Sequence, residues 1–279
     1  MDQPQVSLPY PVLSDESEIE RQLRVAERYA DQARDLCQRA GLQPGDRVVE
    51  IGCGPVGALL VLSQVVGPSG SVVGLDANAG ALERARTILD RHGVGNVSLV
   101  QANLDTLDQR TLLGAGPFDV VFCRRFLIWQ PRPVEAVRKM LPLLRPGARL
   151  IVTDPVDAPD YPVADPPVPA LERGSRLLFG VIRSRGGSPD VARHYRRICG
   201  ELGLEILHHR AIIDCQHAES DFGLLQQALR VSGPTLQVHG LTTEDELNQL
   251  VEALQRAQHQ AFETYFGPIM AELIAQVVN

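Results

Sequence analysis

Residues 48–57 read VVEIGCGPVG, and this run restricts the chain's architecture more than any other. A β-branched stretch, Val48-Val49-Glu50-Ile51, runs into Gly52-x-Gly54-x-x-Gly57, and an apolar helical pattern (ALLVLSQVV) follows. The order is strand, glycine turn, helix. Glycines let the backbone approach a ligand closely, and the helix start beyond them offers free N–H groups and a positive dipole end. The turn therefore suits a cofactor carrying phosphate or carboxylate. Its spacing alone fits a dinucleotide site equally well, so the rest of the chain has to decide.

Strand and helix patterns alternate from there. A helical stretch from Ser17 to about Ala40 is closed by Gly41 and Pro44-Gly45, and leads to a strand at 47–51. Helix 57–66, strand 71–75, helix 78–91, strand 97–101, a short helical piece, strand 118–122, helix 133–143 and strand 148–153 follow. Such alternation predicts an α/β, Rossmann-like, doubly wound and mostly parallel sheet with right-handed crossovers. Past Thr153, six prolines between Pro155 and Pro169 leave little room for regular structure. Helices at 170–185 and 189–202, a strand at 204–213, and helices at 219–231 and 243–264 complete the pattern, with Thr242-Thr243-Glu244-Asp245 as a cap. The tail YFGPIMAELIAQVVN is read as a last strand. The expected division is an N-terminal arm and helix (1–40), a cofactor-binding core (41–154), lid and cap helices (155–203), and last core strands with inserted helices lining the substrate pocket (204–279).

Several function classes recede on composition. A net charge of −7 has the wrong sign for binding nucleic acid by charge alone, and the Arg193, Arg196, Arg197 group reads as a solvated helix face. The cysteines at 37, 53, 123, 199 and 215 show no CxxC or metal-ligand spacing, so free thiols and no bound metal are expected. No apolar run reaches the ~20 residues that span a bilayer, and the N-terminus lacks a basic region and an apolar stretch of secretory type. The expected setting is cytoplasmic.

Ligands of an open parallel sheet lie beyond the carboxyl ends of its strands. Here those ends carry Gly52–Gly57, Asp76, Asn103, Arg124 and Asp154. An acid after the second strand suits a ribose diol, and an Asn after the third offers an adenine edge both a donor and an acceptor. With Glu50 two residues before Gly52, GSVVGLDAN, QANLDTL, PFDVVFCRRFLIWQPRP and LRPGARLIVTD, the chain resembles the class I S-adenosylmethionine-dependent methyltransferases. YPVLSDESEIERQLRVAERY and HGLTTEDELNQLVEAL are similar to stretches of a bacterial group that methylates small molecules. The resemblance covers residues 10–155 well and the remainder loosely. It departs from the group at Val56, where glycine is usual, and at Asn103, where Asp is.

The resemblance implies S-adenosyl-L-methionine as cofactor, with S-adenosyl-L-homocysteine as product. Gly52, Cys53 and Gly54 would pack on its methionyl part and Glu50 would orient the loop. Asp76 would hold the ribose with Ala77 beside the base, Asn103 and Leu104 would flank the adenine, and Arg124 would meet the methionine end and face the substrate. Tyr29 would close over the cofactor or else belong to a buried helix stripe, and Trp129 would line the pocket or pack in the core. An acceptor that must lose a proton needs a base, and His217 and Asp154 are the leading candidates, ahead of Asp157, Asp214, His194 and Tyr195. His208 and His209 face opposite ways on their strand. The implied partner is a small, apolar methyl acceptor in secondary metabolism, with neither nucleic acid nor membrane involved and a homodimer left open.

Rival readings are a protein that binds the same cofactor but catalyses cyclisation or another non-methylating step, and a protein or RNA methyltransferase. Against the latter, the Asn/Asp-Pro-Pro-aromatic position after the fourth strand reads Cys123-Arg124-Arg125-Phe126, and Asp165-Pro166-Pro167-Val168 lies past the fifth. An NAD-dependent oxidoreductase shares the glycine turn alone.

Overall fold

The computed structural model describes residues 16–107, 116–158, 160–215 and 218–278. Its centre is a seven-stranded sheet. The strands are β1 (Arg47–Ile51), β2 (Ser71–Asp76), β3 (Val97–Gln101), β4 (Phe118–Arg124), β5 (Leu144–Pro155), β7 (Leu204–Ile213) and β9 (Ile269–Val277). Their order across the sheet is β3-β2-β1-β4-β5-β9-β7. The first five are parallel, and β9 runs antiparallel to both neighbours. The fold is thus the expected α/β, mostly parallel, Rossmann-like one.

Helices cover both faces. On one, α2 (Ala30–Arg39), α3 (Leu59–Val66) and α4 (Ala79–Arg91) bury Leu36, Leu62 and Ala85 against Val48, Val72 and Phe122. On the other, α5 (Pro133–Met140) and α7 (Tyr195–Leu202) pack Met140, Tyr195 and Ile198 on Val121, Leu150 and Leu273. Central strands buried on both sides read as unbroken apolar runs, which is why β1 and β4 are so plain in the sequence.

A second core lies beside the sheet. Here α6 (Pro169–Ser184), α8 (Ala218–Val238) and α9 (Glu244–Ala257) bury Leu177, Phe222, Leu229 and Leu254 with Tyr265. β6 (Val163–Asp165) and β8 (Thr264–Phe266) pair antiparallel at its margin. The cap therefore joins residues on both sides of β7, while α7 belongs to the main sheet.

Several boundaries differ from the sequence reading. The N-terminal helix is two, α1 (Glu16–Arg28) and α2, because Tyr29 leaves helical dihedrals (φ −108°, ψ 13°) and its carbonyl also accepts from Arg124 at 3.4 Å. The helix after the glycine turn starts at Leu59, and β4 and β5 outrun their predicted ends. Helix 133–143 stops at Met140 and tightens to a 3₁₀ turn around Pro142, and the 189–202 helix likewise opens with a 3₁₀ turn at Val191–His194. α8 continues through Pro234 to Val238, whereas α9 ends at Ala257 and leaves residues 264–266 to a strand. The proline-rich stretch does hold regular structure, since β6 needs only three residues and one partner. The short helical piece after Asn103 falls mostly on 108–115, and the N-terminal arm on 1–15, outside the described residues. Among the described residues no helix is long and apolar enough to cross a membrane.

Candidate functional site

A pocket of about 380 Å³ opens at the carboxyl ends of the parallel strands. The glycine turn forms its floor through three left-handed residues. Gly52 (φ +70°) passes so close to Phe126 that a Cβ would sit 2.4 Å from the ring, and at Gly57 (φ +43°) one would sit 2.4 Å from a Glu50 carboxylate oxygen. At Gly54 (φ +55°) a Cβ would meet nothing within 4 Å, so bare backbone faces the pocket. This is the close approach the sequence motif predicts.

Asp76, at the end of β2, fixes that corner. Its Oδ2 accepts from the Gly54 N–H at 2.8 Å and its Oδ1 from the Asn78 N–H at 2.8 Å. The Asn78 side chain in turn caps α4 through the Ala81 N–H at 3.0 Å. Each Asp76 oxygen keeps a further lone pair for a ligand hydroxyl. Ala77 and Leu104 line the same end, as does Asn103. The Asn103 side-chain oxygen accepts the Asp105 N–H at 2.9 Å, which leaves its NH₂ and one oxygen lone pair for a ligand.

Beneath the turn lie two buried ionisable groups, Glu50 and Arg124. Glu50 is 1 % exposed, and both its oxygens accept from the Ala58 N–H, at 2.8 and 3.0 Å. Burial pushes its carboxyl up to about 8, opposed in part by the charge of Arg124. Burial also lowers the pKa of Arg124, with Glu50 working the other way. Both shifts say that desolvation outweighs the mutual attraction. Arg124 donates to the Gly57 carbonyl at 2.6 Å and the Tyr29 carbonyl at 3.4 Å, tying the turn to the break between α1 and α2 while still lining the pocket. The Cys53 thiol is held well above its ordinary value by burial, so that residue supplies backbone and small size, not reactivity.

Tyr29 lies outside the lining, packed with Val25 and Met270 and stacked beneath Arg28 and Arg124. Its ring thus belongs to a buried stripe. The N-terminal wall is instead made by Arg21, Gln22 and Val25 of α1, of which Arg21 and Val25 lie one turn apart. Their i, i+4 spacing was the available signal. Trp129 does both things foreseen for it, lining the pocket and touching two apolar cores.

Asp154 is fully buried and outside the lining, although Pro155 beside it is inside. Its oxygens accept from the Tyr195 hydroxyl at 2.8 Å and the Ile128 N–H at 3.3 Å, and burial pushes its carboxyl up to about 6. Through these bonds it ties the Leu127–Trp129 turn to β5. His217 lies outside the described residues. The remaining candidates are paired elsewhere: Asp157 with Arg183, Asp214 with Arg28 at 2.8 Å, His194 with Asp190 at 3.1 Å. His208 meets Glu272 on one face of β7 and His209 meets the Tyr195 ring on the other.

Arg125 is the residue that sequence reasoning passed over. Among the described residues it is the one non-glycine with positive φ (55°), its N–H donates to the Thr153 carbonyl at 2.7 Å, and its exposed side chain lines the pocket. A left-handed non-glycine residue costs about 1–2 kcal/mol, which surrounding structure must hold in place.

A family model described as a methyltransferase domain matches residues 42–177. The ubiquinone/menaquinone biosynthesis C-methyltransferase UbiE of Pseudomonas paraeruginosa is 38 % identical over 122 residues, 43 % of this chain and 46 % of that protein. Aklanonic acid methyltransferase DauC of a Streptomyces species is 33 % identical over 112 residues, 40 % of this chain and 49 % of that one. The chain thus spans about half the length of these relatives. A SAM-dependent methyltransferase structure from Aquifex aeolicus superposes with a TM-score of 0.53 at 15 % identity, covering 95 % of this chain and 99 % of that one. Residues 42–177, with their strand–glycine-turn–helix start and parallel sheet, match a methyltransferase domain and are similar to the class I S-adenosylmethionine-dependent methyltransferases.

Proposed function

We propose that this protein transfers a methyl group from S-adenosyl-L-methionine to a small, largely apolar acceptor. One observation carries the reading: bare backbone at Gly54, fixed by Asp76, at the carboxyl-end pocket of a methyltransferase domain. In it, Gly52, Cys53 and Gly54 receive the methionyl part, Asp76 the ribose, and Ala77, Asn103 and Leu104 the adenine. Glu50 and Arg124 hold the turn in shape from below, and Tyr29 buttresses Arg124. The bound cofactor supplies a methyl carbon made electrophilic by a sulfonium. The chain's own part is alignment and exclusion of water, with α1 over the cofactor end and Trp129, Pro155 and Ile182 at the acceptor end. Holding two reactants in line supplies roughly 7–11 kcal/mol of a barrier.

Residues 16–40 serve as the roof, 41–154 as the cofactor core, and the cap as the acceptor's wall. His217 is the candidate base where the acceptor must lose a proton, and Asp154 acts by position. The two relatives, both named for work on small molecules, and the −7 net charge support a small metabolite over nucleic acid. A cytoplasmic, bacterial, secondary-metabolic setting goes with that reading.

Calorimetric titration with S-adenosylmethionine, S-adenosylhomocysteine and NAD, on the wild type and on Asp76→Ala, tests it. The two sulfur compounds should bind, NAD should not, and the variant should lose at least about tenfold in affinity, the worth of hydrogen bonds to a charged group. Binding of NAD in place of the sulfur compounds overturns the proposal.

A further inference from the structure

We infer that Arg125 anchors an anionic group on the methyl acceptor, so that the substrate is an apolar small molecule bearing an ionised carboxylate or enol. The inference rests on the methyl-transfer reading and names the class of acceptor within it. Two adjacent arginines end β4, and their situations differ. Arg124 is buried and committed to the Gly57 and Tyr29 carbonyls. Arg125 is exposed on the pocket wall, and its guanidinium makes no hydrogen bond among the described residues. The structure holds that residue in a left-handed conformation, pinned through its N–H to Thr153, and so aims a cation where relaxed backbone would not. Strain kept beside a pocket is a reason to look for a ligand there.

Position separates this cation from the adenosine end. β4 stands two strands from β2, about 10 Å at the usual strand spacing. Arg125 is bonded toward β5, the side of Pro155 and of the Leu127–Trp129 turn that Asp154 secures. Its companions in the lining there are Phe126, Ile128, Trp129, Gln130, Pro155 and Ile182. A mostly apolar wall with one exposed guanidinium selects an apolar body with one anion, which a planar fork of donors can grip at two oxygens. The positive charge of Arg124 next to it adds to the attraction.

A carboxylate could reach Arg125 from the acceptor or from the cofactor's methionine, and the test separates them. The full-length protein, saturated with S-adenosylhomocysteine, is titrated with 1-naphthoate and with the neutral 1-naphthamide, as wild type, Arg125→Gln and Arg125→Gly. The wild type should prefer the acid by about tenfold or more, the worth of a charged hydrogen-bonded pair. Both variants should bring acid and amide to within about twofold, keep their affinity for S-adenosylhomocysteine, and remain folded, the glycine variant with a raised melting temperature. Three results overturn the inference: no preference for the acid in the wild type, binding of neither probe, or a preference that survives in Arg125→Gln. Loss of S-adenosylhomocysteine affinity in Arg125→Gln with the preference kept assigns the residue to the cofactor's carboxylate. A wild type that binds no S-adenosylhomocysteine removes the methyl-transfer reading itself, whereas binding without acid preference removes this inference alone.

Discussion

Replacing Glu50 by Gln should change how stability depends on pH, by an amount the structure specifies. The side chain is enclosed beneath the glycine turn, and burial lifts its carboxyl to about 8 from an ordinary 4.5. A folded-state value above the unfolded one means that folding favours the protonated form. The stability linked to Glu50 is therefore complete below pH 4.5 and is lost as pH rises through 8. Every pH unit separating the folded and unfolded values is worth about 1.4 kcal/mol, so the loss between pH 5 and pH 9 comes to about 4 kcal/mol. Gln keeps the shape and the oxygen that accepts from the Ala58 N–H, but cannot ionise. Urea unfolding of both proteins at five pH values across that range isolates the effect, since every other titrating group cancels in the difference. The variant should gain on the wild type by several kcal/mol as pH rises. A difference that stays flat within about 1 kcal/mol, or one that turns against the variant at high pH, refutes the reasoning. The latter result would mean that Arg124 keeps Glu50 ionised throughout, with attraction outweighing desolvation.

Three further outcomes follow from local geometry. Gly57→Ala combines a left-handed backbone with a Cβ 2.4 Å from Glu50, and should lower stability by about 1–3 kcal/mol in urea midpoints; an unchanged midpoint would show that the carboxyl moves aside freely. Asp154→Asn removes a carboxyl raised to about 6, so wild-type stability should fall relative to the variant by about 2 kcal/mol as pH climbs from 4 to 8, and parallel pH profiles in thermal melts would contradict this. Thr243→Ala breaks the reciprocal cap with Glu246 at the start of α9 and should cost about 1 kcal/mol, seen as faster amide exchange in that first turn with cofactor affinity unchanged.

The parallel half of the fold was legible because its strands are apolar on both faces and are punctuated by glycine and proline turns. The rest was harder for identifiable reasons. β9 is buried along nearly its whole length, and a continuous apolar run gives no period by which to tell strand from helix. Nor does its sequence state that it inserts antiparallel between β5 and β7. Fully buried Glu272 in its middle even argues against a core strand, until Gln32 at 2.9 Å and Arg210 at 2.6 Å are seen to reach it from α2 and β7. The helical pattern runs unbroken through Tyr29, and the guanidinium that meets its carbonyl at the break comes from β4, 95 residues away. β6 and β8, at three residues each, are too short to carry a signal at all.

The same distinction divides the candidate site. Its cofactor end is written locally: the glycines, Glu50 and Asp76 lie within one strand–turn–helix–strand unit, and the bonds among them span 8 and 22 residues. The rest of the pocket is assembled from β4, β5, α6 and the roof helix α1, which come from distant parts of the chain. Arg28, at the end of α1 that carries Arg21, Gln22 and Val25, bonds Asp221 at 3.0 Å and Asp214 at 2.8 Å, and the Tyr265 hydroxyl completes Asp221 at 2.9 Å. One buried guanidinium thus joins the roof to α8 and β8 of the cap. Breaking such a pair from one side leaves an uncompensated buried charge, at about 3–5 kcal/mol. Because roof and cap meet through that contact, a change of the pocket lining in either must preserve it. The glycine turn is fixed from below by Glu50 and Arg124, and the Arg124 bond to the Tyr29 carbonyl ties it to the end of the same roof.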